Sequence, residues 1–273
     1  MGADKLPLFS ALGSLYHAES PDFLDQALAS LHEQTIKADE IVLVLDGPIG
    51  AALESVIKKW HNLLPIKLVK LSVNKGLGEA LNKGLEACSH NWVARFDTDD
   101  INRINRFEVQ LNSAVRTNAD LLSASIEEFD KVPGDLGRFR VAEAKQDICK
   151  ALAKRNYVNH MAVMFKKDIV LKAGGYKHLH FMEDYYLWLR MRSQNAKFEF
   201  MPEVLVDARV GNGMEARRSG VSYVKSEFKL AKIKYRLGFS GAIYSSSLFA
   251  VRASTRLVPV PVLKQIYKVL LRK

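Results

Sequence analysis

Cysteine is scarce in this chain. Two residues in 273, Cys88 and Cys149, form no close pair and no metal-knuckle spacing, which excludes a disulfide-stapled secreted scaffold and a zinc ribbon. A reducing, cytoplasmic setting is therefore expected. Long apolar runs are missing too. No stretch approaches the roughly 18–20 uninterrupted apolar residues that cross a bilayer, and residues 1–9 lack the basic start and apolar core of a secretory leader. Internal repeats and low-complexity tracts are absent. Residues 13–22, GSLYHAESPD, hold no Gly-rich, Lys/Arg-bearing phosphate loop. Acid is nearly missing from the last part of the chain. Residues 217–273 contain 13 Lys/Arg and the single acid Glu227; of the net +10 this segment carries +12, which leaves −2 on residues 1–216. The body is nearly neutral and bears no nucleic-acid motif, so nucleic-acid binding is not expected; the basic segment reads as a surface-binding appendage.

What is present is an alternation of strand and helix signals. Residues 9–16 (FSALGSLY) read as a strand, and Ser20-Pro21 opens a helix with Ser20 as N-cap and Pro21 at the first helical position. Phe23, Leu24, Ala27, Leu28 and Leu31 give that helix one apolar face. Residues 41–45 (IVLVL) form a continuous apolar run of the kind buried on both faces of a sheet, broken by Asp46-Gly47-Pro48. A helix over 51–60, a strand over 66–71, a helix over 78–87 and a strand over 92–96 follow. This predicts an α/β fold with a mostly parallel central sheet flanked by helices. Ligands of such sheets bind at the carboxyl ends of the strands, so Tyr16, Asp46, Asn74 and Asp97 are expected to meet. Beyond Asp100 the spacing predicts helices over 106–115, 147–153 and 183–191, strands over 121–129 and 161–165, a loop over 131–140 and a turn at Gly174-Gly175-Tyr176.

Arg95-Phe96-Asp97-Thr98-Asp99-Asp100 is the most informative segment. Three carboxylates within four residues repel one another unless a cation sits among them. In extended geometry Asp97 and Asp99 face the same side. Hard oxygen ligands suit Mg²⁺ or Mn²⁺, which can bridge a diphosphate and neutralise a leaving nucleotide. The alternatives are a solvated acidic turn, or a helix start capped by Asp99.

Several segments in order resemble the family 2 glycosyltransferases: Ser14-Leu15-Tyr16, Ile41 to Gly47, Asn74 to Gly78 with Ala80-Leu81-Asn82, Arg95 to Asp100, and Glu183-Asp184-Tyr185-Tyr186-Leu187-Trp188. The resemblance spans about residues 8–205. It implies the single-domain nucleotide-sugar-binding (GT-A) fold and an inverting transfer from a nucleoside-diphosphate sugar to a saccharide or lipid-linked saccharide acceptor. Asp46 would then accept a hydrogen bond from a uracil-type base, and Ser14 and Tyr16 would line the nucleoside pocket. Asn74 and Arg95 would contact ribose, base or phosphates. Asp97 would touch the nucleotide and share the metal with Asp99, the main ligand, and Asp100 could join them. Asp184 would be the general base with Glu183 beside it, and His160 would sit at the acceptor. The family box often ends in a second acid where this chain has Tyr186, which puts any acceptor contact there in doubt. Each residue also has a plainer reading: Asp46 and Asn74 as turn formers, Glu183-Asp184 as first-turn acids, His160 as a buried structural histidine, Leu187 and Trp188 as core.

The expected organisation is a catalytic domain over 1–216, with a nucleotide half to about 103 and an acceptor half beyond it, and a basic amphipathic tail over 217–273. In the tail Lys225, Lys229, Lys232, Lys234 and Arg236 interleave with Phe228, Leu230, Ile233, Tyr235 and Leu237, and residues 262–273 repeat the idea. Such helices bind anionic membrane surfaces or pack on the domain. The resemblance favours a peripheral enzyme on the inner face of the cell membrane. Rival readings are a sugar nucleotidylyltransferase, which wants the phosphate loop missing from 13–22, a phosphatase, whose nucleophile normally ends the first strand, and a non-catalytic binding module.

Overall fold

In a computed structural model of the chain, residues 6–211 and 221–257 are described. Strands β1 (Phe9–Leu15), β2 (Glu40–Leu45), β3 (Ile66–Lys70) and β4 (Trp92–Arg95) are joined by helices α1 (Pro21–His32), α2 (Ala51–His61) and α3 (Leu77–Ala87). All four pair in parallel in the order β3-β2-β1-β4. The alternation of β2 explains the layers. Ile41, Leu43 and Leu45 point into one core with Leu24, Leu28 and Leu31 of α1 and Ile57 and Trp60 of α2. Val42 and Val44 point into the other with Ala80, Leu81 and Leu85 of α3. A strand apolar on both faces is stable only between two helical layers.

After β4 come β5 (Ile101–Asn102), α4 (Arg106–Thr117), β6 (Leu121–Phe129), β7 (Arg138–Arg140), α5 (Ile148–Lys154), a 3₁₀ turn at His160–Ala162, β8 (Val163–Lys166), α6 (Lys167–Lys172), α7 (Glu183–Ser193) and β9 (Phe198–Arg209). The sheet continues β4-β8-β6-β9-β5, with β7 on β6. β8 runs against β4 and β6, β5 against β9 and β7 against β6, while β6 and β9 are parallel. Six of the nine strands thus share one direction, and the expected α/β sheet is the one the chain forms.

One expectation holds without its side-chain bond, one needs correction, and one strand was not expected. Ser20 is the N-cap of α1 and Pro21 opens the helix, but the Ser20 side chain makes no capping bond. The loop expected over 131–140 ends in β7. Most importantly, β9 escaped notice although, at 12 residues, it outlasts the expected strands. Its alternation is interrupted at Met201-Pro202-Glu203, where the β6–β9 register shifts between Ala124 and Ile126. Proline cannot donate to a ladder and is tolerated at such a bulge, so the strand resumes beyond it.

Helices α8 (Val221–Arg236) and α9 (Ala242–Leu257) follow. α8 is packed on the body: Tyr223 and Leu230 share a core with Leu152 of α5 and Leu179, Met182, Tyr185 and Leu189 around α7. The basic repeat expected over 262–273 lies outside the described residues. No described helix is long and apolar enough to cross a membrane.

Candidate active site

The exits of β1, β2 and β3 are tied by Asp46. Its carboxylate oxygens accept the backbone N–H groups of Lys75 (2.7 Å) and Gly76 (2.9 Å), so the β3–α3 loop hangs from the end of β2. Gly47 must be glycine there: its φ is +87°, and a Cβ would lie 2.7 Å from the Asn74 backbone nitrogen. Asp46 is buried, whereas Asn74 and Tyr16 are exposed and Ser14 is half-buried. The Asp46 N–H donates to Leu15 O at 2.8 Å, which sets Tyr16 beside this junction.

The fourth exit is the acidic one. β4 ends at Arg95, and Asp97 to Asp100 form a turn rather than the extended run expected; β5, not a helix, follows. The turn still gathers one carboxylate oxygen each from Asp97, Asp99 and Asp100 within 4.8 Å of one another. Burial, then the charges of Asp97 and Glu19, push Asp99 up to about 7. Burial, then Asp97 and Asp99, drive Asp100 well above the ordinary carboxylate value. The cluster is therefore over-supplied with negative charge, and its donors are all hard oxygens. These residues fit a divalent cation of the Mg²⁺ or Mn²⁺ kind, and their charge excess is of the kind a bound cation offsets.

Three neighbours hold this turn in place. Arg95 is buried and makes a bidentate pair with Asp97. Burial disfavours its charge, but Asp97 keeps its pKa above the ordinary arginine value. Glu19, in the loop between β1 and α1, accepts from the Thr98 hydroxyl at 2.9 Å and places a further carboxylate near Asp99. Arg209, the last residue of β9, donates its backbone N–H to Asp100 at 2.8 Å and its Nε to Asp99 O at 3.1 Å. Its guanidinium lies between the Phe23 and Phe129 rings, 3.8 and 4.5 Å from their centroids. Buried Arg106 supports the strand from below, donating to the carbonyls of Arg95 (2.7 Å) and Val163 (3.1 Å).

Asp97 and Arg95 open onto a cleft of about 1350 Å³ that Glu183 and Asp184, at the start of α7, also line. Burial raises the Asp184 pKa, although Asn156 Nδ2 donates to its Oδ2 at 2.8 Å. Burial likewise raises Glu183. His160 and Tyr176 line the same cleft, joined at 2.8 Å from ring nitrogen Nε2 to hydroxyl. Burial, then the charge of Arg95, lowers the His160 pKa well below the ordinary histidine value. Its other contact is an edge-on approach to Trp188, which with Leu187 is fully buried.

Of the residues expected from sequence, the structure places Arg95, Asp97, His160, Glu183 and Asp184 on one cleft, with Asp99 and Asp100 in the turn behind Asp97. Asp46 and Asn74 meet the cleft through the loop they shape, whose Lys75 and Gly76 line it. Sequence reasoning missed Glu19, Asn156, Arg209 and the part played by Tyr176. The turn at Gly174-Gly175 is there, with φ of +85° and +61°, but it delivers Tyr176 to the cleft. Asn82 of α3 clamps that delivery, accepting from Tyr176 N and donating to Tyr176 O, both at 2.8 Å. Asn82 closes the N-x-G-L-x-x-A-L-N stretch, so the signal was in hand without its partner.

Comparison with known proteins places this geometry. Residues 15–170 match the family model Glycosyl transferase family 2. The chain is 45% identical over 262 residues to the amylovoran biosynthesis glycosyltransferase AmsE of Erwinia amylovora, covering 96% of this chain and 98% of that one. It is 37% identical over 274 residues, 99% of each chain, to the UDP-Gal:alpha-D-GlcNAc-diphosphoundecaprenol beta-1,3-galactosyltransferase of Escherichia coli. In fold it matches S. aureus TarS 1-349 in complex with UDP-GlcNAc, with a TM-score of 0.68 and 17% identity over 90% of this chain and 71% of that one. The nucleotidylyltransferase alternative is not favoured. The chain belongs to glycosyl transferase family 2 and is a glycosyltransferase with the GT-A fold.

Proposed function

We propose that this enzyme moves a hexose, with inversion, from a UDP-sugar to a saccharide or lipid-linked saccharide in the building of a cell-surface polysaccharide or lipopolysaccharide. The observation that carries the reading is that two unlike carboxylate groups line one cleft: Asp97, paired with Arg95 at the acidic turn, and Asp184, bonded to Asn156. The first suits a diphosphate and the second suits an acceptor hydroxyl. A relative whose name specifies a UDP-sugar and a diphospho-lipid saccharide supports the choice of donor and acceptor.

In this mechanism Asp184 takes the proton of the acceptor hydroxyl as its oxygen attacks the anomeric carbon. A carboxyl whose pKa is raised by burial is better matched to neutral pH than an ordinary one. Asn156 orients the acid, and Glu183 stands beside it. Asp97 and Asp99, with Asp100, would hold a divalent cation, Mn²⁺ or Mg²⁺, which supplies the charge neutralisation that lets a nucleoside diphosphate leave without a protonating acid. Ser14, Tyr16, Asp46 and Asn74 shape the nucleoside end, Asp46 chiefly by fixing the loop at Lys75-Gly76. Arg95 reaches the phosphates, and His160 with Tyr176 forms the floor under the sugar. The working place is the cytoplasmic face of the cell membrane, with the tail against anionic lipid.

The test is a panel of UDP-sugars offered with a diphospholipid-linked saccharide and Mn²⁺, read as UDP release. Stabilisation by UDP only when Mn²⁺ is present, with turnover on one donor, supports the reading. A protein that neither binds UDP nor releases it from any donor sinks it.

A further inference from the structure

Helix α8 has two faces with different work. Its inward stripe is Tyr223, Ser226, Glu227, Leu230 and Lys234, all buried. Tyr223, Glu227 and Leu230 line the cleft that holds Asp184, and the Lys234 ammonium sits 4.7 Å from the centroid of the Tyr185 ring. The outward stripe is Lys225, Phe228, Lys229, Lys232, Tyr235 and Arg236, all exposed. Spacings of three and four residues put these on one side of a helix. That side carries four cations and no acid, and no Asp or Glu occurs anywhere after Glu227. Phe228 and Tyr235 are 58% and 56% exposed among the cations. The Phe228 ring meets Phe249 of α9 edge-on, and α9 opens with Ile243 88% exposed and Tyr244 43% exposed.

A merely solvated basic face has no use for rings left more than half exposed, as Phe228 is even with Phe249 against it, and a face for another protein's core has no use for four cations. A bilayer interface takes both, since rings and aliphatic residues enter the headgroup boundary while lysine and arginine stems lie along it with their charges at anionic lipids. We infer that the outward stripe of α8, continued by the start of α9, docks on an anionic bilayer, and that docking sets the mouth of the acceptor cleft at the lipid surface because the same helix walls that cleft. An acceptor anchored in the bilayer then reaches Asp184 without leaving the membrane. This rests on the transferase reading and adds to it the docking face and the direction of approach.

The experiment uses the full chain with vesicles of phosphatidylcholine alone or mixed with phosphatidylglycerol. Sedimentation with the mixed vesicles and not with pure phosphatidylcholine is expected. The triple variant Lys225→Glu/Lys229→Glu/Lys232→Glu, checked for an unchanged melting curve, should bind mixed vesicles at least about a hundredfold more weakly, from about fivefold per cation removed. Phe228→Ala/Tyr235→Ala should also weaken binding. The triple variant should keep wild-type transfer to a short water-soluble acceptor and lose transfer to a lipid-linked acceptor embedded in vesicles. Wild-type sedimentation by the triple variant overturns the inference, and so does an equal loss on both acceptors, which would make the stripe a part of the cleft only. Retention on polyglutamate but not on vesicles overturns it in favour of an acidic protein partner. Absence of transfer by the wild-type chain to either acceptor counts against the transferase reading and leaves the sedimentation result to decide this one.

Discussion

Arg209 donates its backbone N–H to Asp100 across 109 positions of sequence, so the last residue of β9 fixes the acidic turn at the end of β4. The side chain adds a bond to Asp99 O and one to Gln26, and it fills the gap between Phe23 and Phe129. Arg209→Ala keeps the backbone bond but loses the rest. It is expected to cost about 1–3 kcal/mol of stability, the range for removing a charged hydrogen-bonding group and its packing. Mn²⁺ affinity, followed by UDP-dependent stabilisation, should fall with it. A variant that melts and binds as the wild type does would show the turn to be self-supporting.

Glu19→Gln tests the reach of the acidic cluster. Glu19 accepts the Thr98 hydroxyl and adds its charge near Asp99. Loss of that charge should weaken Mn²⁺ binding by about 10–100-fold, as for partners that orient metal ligands. Titration of Mn²⁺ against UDP-dependent melting measures it. Unchanged affinity would leave Glu19 with a purely local role.

Asp184→Asn should lower kcat by about 10²–10⁴-fold, the span attributed to a general base. Donor KM should stay nearly constant, because Asp184 is bonded to Asn156, whereas Asp97 is bonded to Arg95. Asn156→Ala should act in the same direction but less, through a mispositioned Asp184. A pH–rate profile distinguishes them: the alanine variant keeps the acidic limb, and Asp184→Asn abolishes it.

The acidic turn also predicts how the metal-free protein responds to pH. In the unfolded chain Asp99 and Asp100 titrate near the ordinary value of about 3.9. In the fold Asp99 sits at about 7 and Asp100 is shifted the same way. Below the unfolded value both states are protonated and nothing is lost. As pH rises towards about 7 the unfolded chain ionises first, so the fold loses stability across that window. Melting temperatures in chelator should therefore fall between about pH 5 and 7, more for the wild type than for Asp99→Asn, and Mn²⁺ should restore them. Melting curves that rise over this window and ignore both Mn²⁺ and the substitution would contradict the argument.

Gly47→Ala should be costly twice over. A φ of +87° is adverse for any side chain, and the added Cβ would press on the Asn74 backbone at 2.7 Å. The strain alone is about 1–3 kcal/mol, and the loop carrying Lys75 and Gly76 would shift. Donor KM should rise while the acceptor KM holds.

Legibility from sequence followed the range of the physics. The run over 41–45 and the helix faces of α1 and α3 encode burial locally, so the parallel half of the sheet and the acidic exit of β4 were readable. Asp184 was found only through a box of residues that resembles a family, since its burial and its bond to Asn156 depend on α5 and α7 meeting. Glu19, Tyr176 and Arg209 act through partners 79, 94 and 109 or 110 positions away, and no local pattern announces such pairings. β9 was lost because one proline broke its period. The tail's composition suggested an appendage, but the packing of Tyr223 and Leu230 depends on which side of α8 turns inward.

That packing has a practical consequence for anyone reshaping the enzyme. Cutting the chain at residue 216 would strip the cover from Leu152, Leu179, Met182, Tyr185 and Leu189 and invite aggregation. On the docking inferred above, exchanging the tail with that of a related enzyme would alter acceptor choice as well as cellular address, since Tyr223, Glu227 and Leu230 travel with the outward stripe. Anchoring and selectivity would then be inherited together and would have to be engineered together.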